Sequence, residues 1–145
     1  MNEDLKSYLI FEDYSISEMN FQRNYDFNNK EEIDLNFSFN GSADISEKRD
    51  QAQLTITCKI FEEEFNVGEA PFFLNIQIIG NFSLNVQEEV FDIEGFQMNG
   101  LAILLPYLRS LITSFTSQSG MPPVILPAIN VYNAFKLTKA EENDK

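Results

Sequence analysis

Between Phe72 and Val86 the apolar residues Phe72, Leu74, Ile76, Ile78, Phe82, Leu84 and Val86 occupy every second position, with Gly80 in the series. That period belongs to a strand with one buried face. Fully extended, the run would be about 50 Å long, so a twisted or bent strand is expected. Gly80 would admit a close approach by a backbone or a bulky side chain. Two further runs alternate in the same way. Ile33, Leu35, Phe37 and Phe39 do so within 31–40, and Leu54, Ile56, Cys58 and Ile60 within 51–65. The opposite parity carries Asn36, Ser38, Asn40, Gln53, Thr55, Thr57, Asn75, Gln77, Asn81, Ser83 and Asn85, which are polar and uncharged. A sheet with one apolar and one polar face is antiparallel and covered on one side only.

The first strand candidate, 5–21, is aromatic and branched but alternates unevenly, which predicts an irregularity near Glu12–Asp13 such as a bulge. Asn40-Gly41-Ser42 reads as the turn that ends the second strand, and the polar stretch to Asp50 as a connection. Phe61 breaks the parity of the third. Glu62-Glu63-Glu64 then reads as a solvated edge near a hairpin, closed by Gly68 and Pro71.

The cover for this sheet lies between Asn99 and Asn130. Leu101, Leu104, Leu105, Leu108, Leu111, Ile112 and Phe115 recur at three-and-four spacing and predict a helix over Asn99–Ser117 with a wide apolar stripe. Asn99 is a candidate N-cap, and Gly120 followed by Pro122 and Pro123 marks the end. Pro106 either kinks the helix or begins its regular part. Four strands, a crossover over 87–98 and this helix give an α+β fold, with the helix packed on the apolar face. A short second helix is expected within 130–137. The domain spans 1–137, and the charged segment 138–145 reads as a disordered tail.

The loop after the helix is unusual in being apolar. Met121, Val124, Ile125 and Leu126 stand among Pro122, Pro123 and Pro127, with no charge between Arg109 and Lys136. Such a loop is either clamped onto the body as core or kept apolar to bind something. With 14 Phe and 5 Tyr, one sheet and one helix leave apolar surface over. Oligomerisation through the helix, at Leu101, Leu104, Leu108, Leu111, Ile112 and Phe115, or a groove for apolar peptide segments would use the remainder.

Chemistry is constrained by what the chain lacks. It has no His, so no Ser-His or Cys-His pair and no imidazole metal site, and its single Cys58 excludes an intramolecular disulfide. Cys58 alternates with Leu54 and Ile56, as a buried thiol would. No glycine-rich loop leads from a strand into a helix to cradle a phosphate. Acidic residues outnumber basic ones 23 to 10 for a net charge of −13, which argues against nucleic acid and for basic partners or simple solubility. The 145 residues fit one domain, and without a signal sequence or a bilayer-length apolar run the chain reads as cytoplasmic. No enzyme, metal or cofactor is expected.

Asn-Gly-Leu-Ala-Ile-Leu-Leu-Pro-Tyr-Leu-Arg from Asn99 to Arg109, followed by Gly-Met-Pro-Pro-Val-Ile-Leu-Pro-Ala-Ile-Asn from Gly120 to Asn130, resembles the signature of the SecB export chaperones. The order of elements agrees along nearly the whole chain. The resemblance implies a four-stranded antiparallel sheet with helices on one side, assembled as a dimer of dimers, that holds unfolded chains in apolar grooves without ATP. It implies a client groove involving Met121, Val124, Ile125 and Leu126 with the aromatic neighbours Phe65, Phe96, Tyr132 and Phe135. It also implies a translocation motor, SecA, docked on the acidic sheet face; here Glu18 is at such a position and Gln22 stands where a second acid is expected. The long second helix of the family is cut to Val131–Leu137. Two function classes follow: a holdase, for export or dedicated to one partner such as an antitoxin, or an interaction domain whose grooves its own loop closes.

Overall fold

A computed structural model describes residues 9–27, 33–84 and 93–128. The expected second helix within 130–137 and the tail 138–145 lie outside the described residues, as do Tyr132 and Phe135. The alternating runs become strands β1 (Leu9–Arg23), β2 (Phe37–Ile45), β3 (Gln51–Ile60) and β4 (Phe72–Leu84). They form one antiparallel sheet in the order β1-β4-β3-β2. A five-residue helix α1 (Glu62–Asn66) joins β3 to β4, and the long helix α2 (Ile93–Ser117) follows the sheet. The expected α+β architecture, a four-stranded antiparallel sheet with a long helix on one face, is the one observed.

β1 shows why its sequence alternates unevenly. Its register on β4 shifts between Phe11 and Asp13, as expected near Glu12–Asp13, and again between Ile16 and Glu18. Each shift inserts one extra residue and flips parity. Leu9 and Phe11, then Tyr14 and Ile16, then Met19 and Phe21 pair with alternate β4 residues from Leu84 to Leu74. All six therefore lie on the helix side of the sheet, although no single period of two connects them.

Two local signals are overridden. Asn40-Gly41-Ser42 is not a turn: Gly41 lies inside β2 opposite Ile56, because Phe37, Phe39, Gly41, Ala43 and Ile45 continue one parity against β3. The turn moves to 46–50, where the Ser46 hydroxyl accepts from the N–H groups of Asp50 and Gln51 and donates to Asp50 Oδ1 at 2.9 Å. Asn99 likewise caps nothing. α2 begins six residues earlier, at Ile93, since Phe96 gains a buried edge-on contact with Phe82 at 5.8 Å. α2 also runs through Pro106 without ending. Pro106 and Ala102 are exposed, so the carbonyl that loses its partner faces water.

The acidic triplet is the first turn of α1, where carboxylates suit the helix dipole, and Lys59 pairs with Glu62 at 3.1 Å. Phe61 makes the corner, with φ 60° in the left-handed region, an uncommon conformation for a bulky residue. Its ring stays buried edge-on to Phe72 at 5.2 Å, and its N–H donates to Asn36 O at 2.9 Å.

The core lies between the sheet and α2. Leu54, Ile56, Cys58, Ile60, Leu74, Ile76 and Ile78 meet Leu104, Leu108 and Ile112, all fully buried. A Cβ on Gly80 would stand 2.7 Å from both Leu104 methyls, and one on Gly100 would stand 2.9 Å from Leu54 Cδ2. These glycines set how closely helix and sheet approach. Of the candidate oligomer contacts, Leu101, Leu104, Leu108 and Ile112 are at most 3% exposed within the single chain, where they cover their own sheet. Leu111 and Phe115 are half-buried against the same core, Phe115 edge-on to Phe21 at 5.0 Å.

Candidate functional site

The proline loop is tied to α2 through its backbone. Thr113 Oγ1 donates to Val124 O at 2.7 Å, and Arg109 Nη2 donates to Leu126 O at 3.0 Å. The N–H of Val124 donates to Thr116 Oγ1 at 2.8 Å, while that hydroxyl donates back to Ile112 O at 2.8 Å. At the end of α2, Arg23 reaches across from β1 to donate to Ser119 O at 3.1 Å, and Gly120 takes φ 87° as expected of a closing residue. Prolines at 122, 123 and 127 hold φ near the extended region and bias the residues before them the same way.

The loop is clamped onto the body, one of its two expected readings, and still keeps apolar surface outside. From Pro123 to Pro127 burial alternates: Val124 is half-buried and Leu126 is 1% exposed, whereas Pro123, Ile125 and Pro127 face outward. Ile125 is 71% exposed, among the highest for a large apolar side chain in the described residues. Leu126, expected in a client groove, is core. Phe96, expected there too, is 5% exposed on the sheet side of α2, against Phe82, and presents little. Met121 is half-buried against the core beside Val124. Phe65, on α1, is half-buried against the same core and packs on Phe73 at 6.1 Å, whose parity is opposite to that of the buried Phe72. Of the residues expected to line one groove, Met121, Val124 and Ile125 stand together in the loop with surface still accessible.

A second apolar region was not legible in the sequence. Along β1, the sheet edge, Ile16 is 47% and Met19 39% exposed on the helix side, and Tyr107 of α2 is 40% exposed nearby. Tyr107 stacks tilted on Tyr14 at 4.9 Å and on Phe11 at 5.4 Å. Only the bulges bring these β1 side chains to one face.

The open face of the sheet is a ladder of amides and hydroxyls. Gln53 donates to Asn81 at 3.0 Å, Asn81 to Asp13 at 2.6 Å, and Thr57 to Gln77 at 3.1 Å. Ser83 bonds Glu12. Glu12, Asp13 and Asp44 border a polar hollow at the end of the sheet near Ser46 and Gln51. Glu18, expected to dock a motor, is exposed further along β1 and accepts from Asn75 Nδ2 at 3.4 Å. Around it Gln22, Asn75 and Gln77 are neutral.

Cys58 is fully buried, and desolvation pushes its thiol from 9.0 up to about 12, so it is a hydrophobe and not a nucleophile. Among the described residues no group of three acidic or thiol ligands could hold a metal, and no helix is long and apolar enough to cross a membrane.

Over residues 6–142 the chain matches the family described as preprotein translocase subunit SecB. The chain belongs to the SecB family. It is 30% identical over 127 residues to an uncharacterised protein of Methanocaldococcus jannaschii, covering 87% of this chain and 81% of that one. It is 28% identical over 76 residues to the protein-export protein SecB of Paramagnetospirillum magneticum, covering 52% of this chain and 48% of that one. Its fold matches that of a SecB-like chaperone of Mycobacterium tuberculosis, solved in complex with a ChAD peptide from an antitoxin. That match has a TM-score of 0.69 at 13% identity and covers 88% of this chain and 95% of the other. Thr113 and Thr116, which together with Arg109 of the helix motif bond the loop backbone, are not picked out by sequence reasoning. Their only signal is their spacing, which puts them on one flank of α2.

Proposed function

We propose that this SecB-family protein is a holdase: it binds non-native polypeptide segments without nucleotide turnover. Membership of the family supports a chaperone role, and the single observation that carries the reading is the proline loop. It is an uncharged apolar strip held rigid on a chain of net charge −13, with Ile125 outward. Rigidity matters because a preorganised loop loses little entropy when a segment settles on it. The solved SecB-like neighbour, which holds a peptide, fits this reading.

The working unit is a homo-oligomer, dimer or tetramer. The helix stripe is occupied within the chain, so the contact is the β1 edge with Ile16, Met19 and Tyr107, where a second copy would cover both strand edge and apolar face. A client role dedicated to one partner is the second reading, favoured over motor-coupled export by the neutral surroundings of Glu18. The test is suppression of aggregation of a thermally unfolded reporter protein without ATP, beside light scattering of the chaperone alone. Suppression at near-stoichiometric ratio and an oligomer are expected. A monomer at micromolar concentration would remove the assembly, and unimpeded aggregation would remove the holdase.

A further inference from the structure

Arg109, Thr113 and Thr116 stand at i, i+4 and i+7 on one face of α2, and all three engage loop backbone. Val124 has both its N–H and its C=O taken, by Thr116 and Thr113, and Leu126 has its C=O taken by Arg109. The contacts climb the loop as they descend the helix, so the loop runs antiparallel to α2. Every residue bonded in this way turns its side chain inward, and Ile125 between them turns out. Thr116 is fully buried, and its hydroxyl can accept from Val124 because its own proton is committed to Ile112 O. Residues 110–128 carry no charge, and the guanidinium beside the loop, that of Arg109, donates to Leu126 O.

We infer that Arg109, Thr113 and Thr116 form a hydrogen-bonding comb that fixes the parity of the loop, making Ile125, flanked by Pro123 and Pro127, the side chain that contacts an extended apolar segment of a client. The inference rests on the holdase reading for its ligand and on geometry alone for its register. A slip of one residue would bury Ile125 and expose Val124 and Leu126, exchanging the loop's two faces. The three helix residues are positioning residues, and Ile125 is the contact.

Two measurements decide it. Ile125→Cys and Leu126→Cys are made separately, with buried Cys58 as the silent background thiol, and their modification by a maleimide is timed on the full chain. Ile125→Cys should react as a free thiol and Leu126→Cys at least about tenfold more slowly, as expected if opening is needed for reaction. Adding Thr113→Val should speed Leu126→Cys, and Thr113→Ser, which keeps the hydroxyl, should restore protection. Equal rates at the two positions, or rates indifferent to Thr113, overturn the comb whether or not any client binds. The second measurement is binding of fluorescein-labelled, reduced and carboxamidomethylated ribonuclease as the unfolded probe. Ile125→Ser should weaken it about tenfold with an unchanged thermal midpoint. Wild type that binds while Ile125→Ser binds equally overturns the contact alone. Wild type that never binds overturns the contact together with the holdase reading.

Discussion

The stripe of α2 and the loop that follows it are equally apolar and equally free of charge, yet folding uses them differently. Leu104, Leu108 and Ile112 are fully buried against the sheet. In the loop, burial alternates residue by residue from Val124 to Leu126, and Ile125 remains outside. The difference lies in the backbone. A helix satisfies its own N–H and C=O groups, so one whole face is free to pack. The loop satisfies its backbone through Arg109, Thr113 and Thr116, and that bonding commits alternate side chains to the core. Hydrophobicity tells which residues avoid water; hydrogen-bond accounting tells which of them are left to meet a partner.

Leu108→Ala should break the helix side of this contrast most severely, costing about 2–5 kcal/mol through lost burial and a cavity. Thermal unfolding should show the same loss at every protein concentration, because Leu108 packs within its own chain; a loss that fades on concentration would return it to an interface.

Within the loop, Leu126→Ala should cost about 2 kcal/mol or more, and its neighbour Ile125→Ala less than about 0.5 kcal/mol, read from urea midpoints. Similar costs at both positions would erase the alternation.

A methyl added at the tightest helix–sheet approach, Gly80→Ala, should cost about 1–3 kcal/mol, since it meets Leu104 at 2.7 Å. Combining it with Leu104→Ala should cost less than the two separate losses together. Strict additivity would mean that helix and sheet do not meet there.

The last effect appears only at high pH. Burial pushes the Cys58 thiol from 9.0 up to about 12. The unfolded chain therefore loses this proton first on raising pH, and stability falls from about pH 9 toward pH 12. Below pH 9 the contribution is fully present. Cys58→Ala should flatten that slope relative to wild type; an unchanged slope would place the thiol in contact with water.

How much of this was legible follows from where order is decided. β3 and β4 could be read because both are central and each parity has one environment. β1 could be read as a strand but not as a surface, since two bulges reset its parity and only pairing with β4 reveals that Ile16 and Met19 share a face with Tyr14. Asn40-Gly41 and Asn99 are sound local signals that long-range contacts outweigh, pairing with Ile56 in one case and packing of Phe96 on Phe82 in the other. The apolar loop was visible and its partition was not. Thr113 and Thr116 read as polar flank, and no pattern in the chain says whose carbonyl a threonine will hold.

The central claim, that this SecB-family chain keeps non-native polypeptide from aggregating, is tested most directly by light scattering of a thermally unfolding reporter protein. The assay uses purified chaperone with no nucleotide present. The account predicts that scattering falls in proportion to added chaperone and is abolished near stoichiometric ratio, with ATP making no difference. Scattering indifferent to the chaperone, or suppressed only when ATP is supplied, would contradict it.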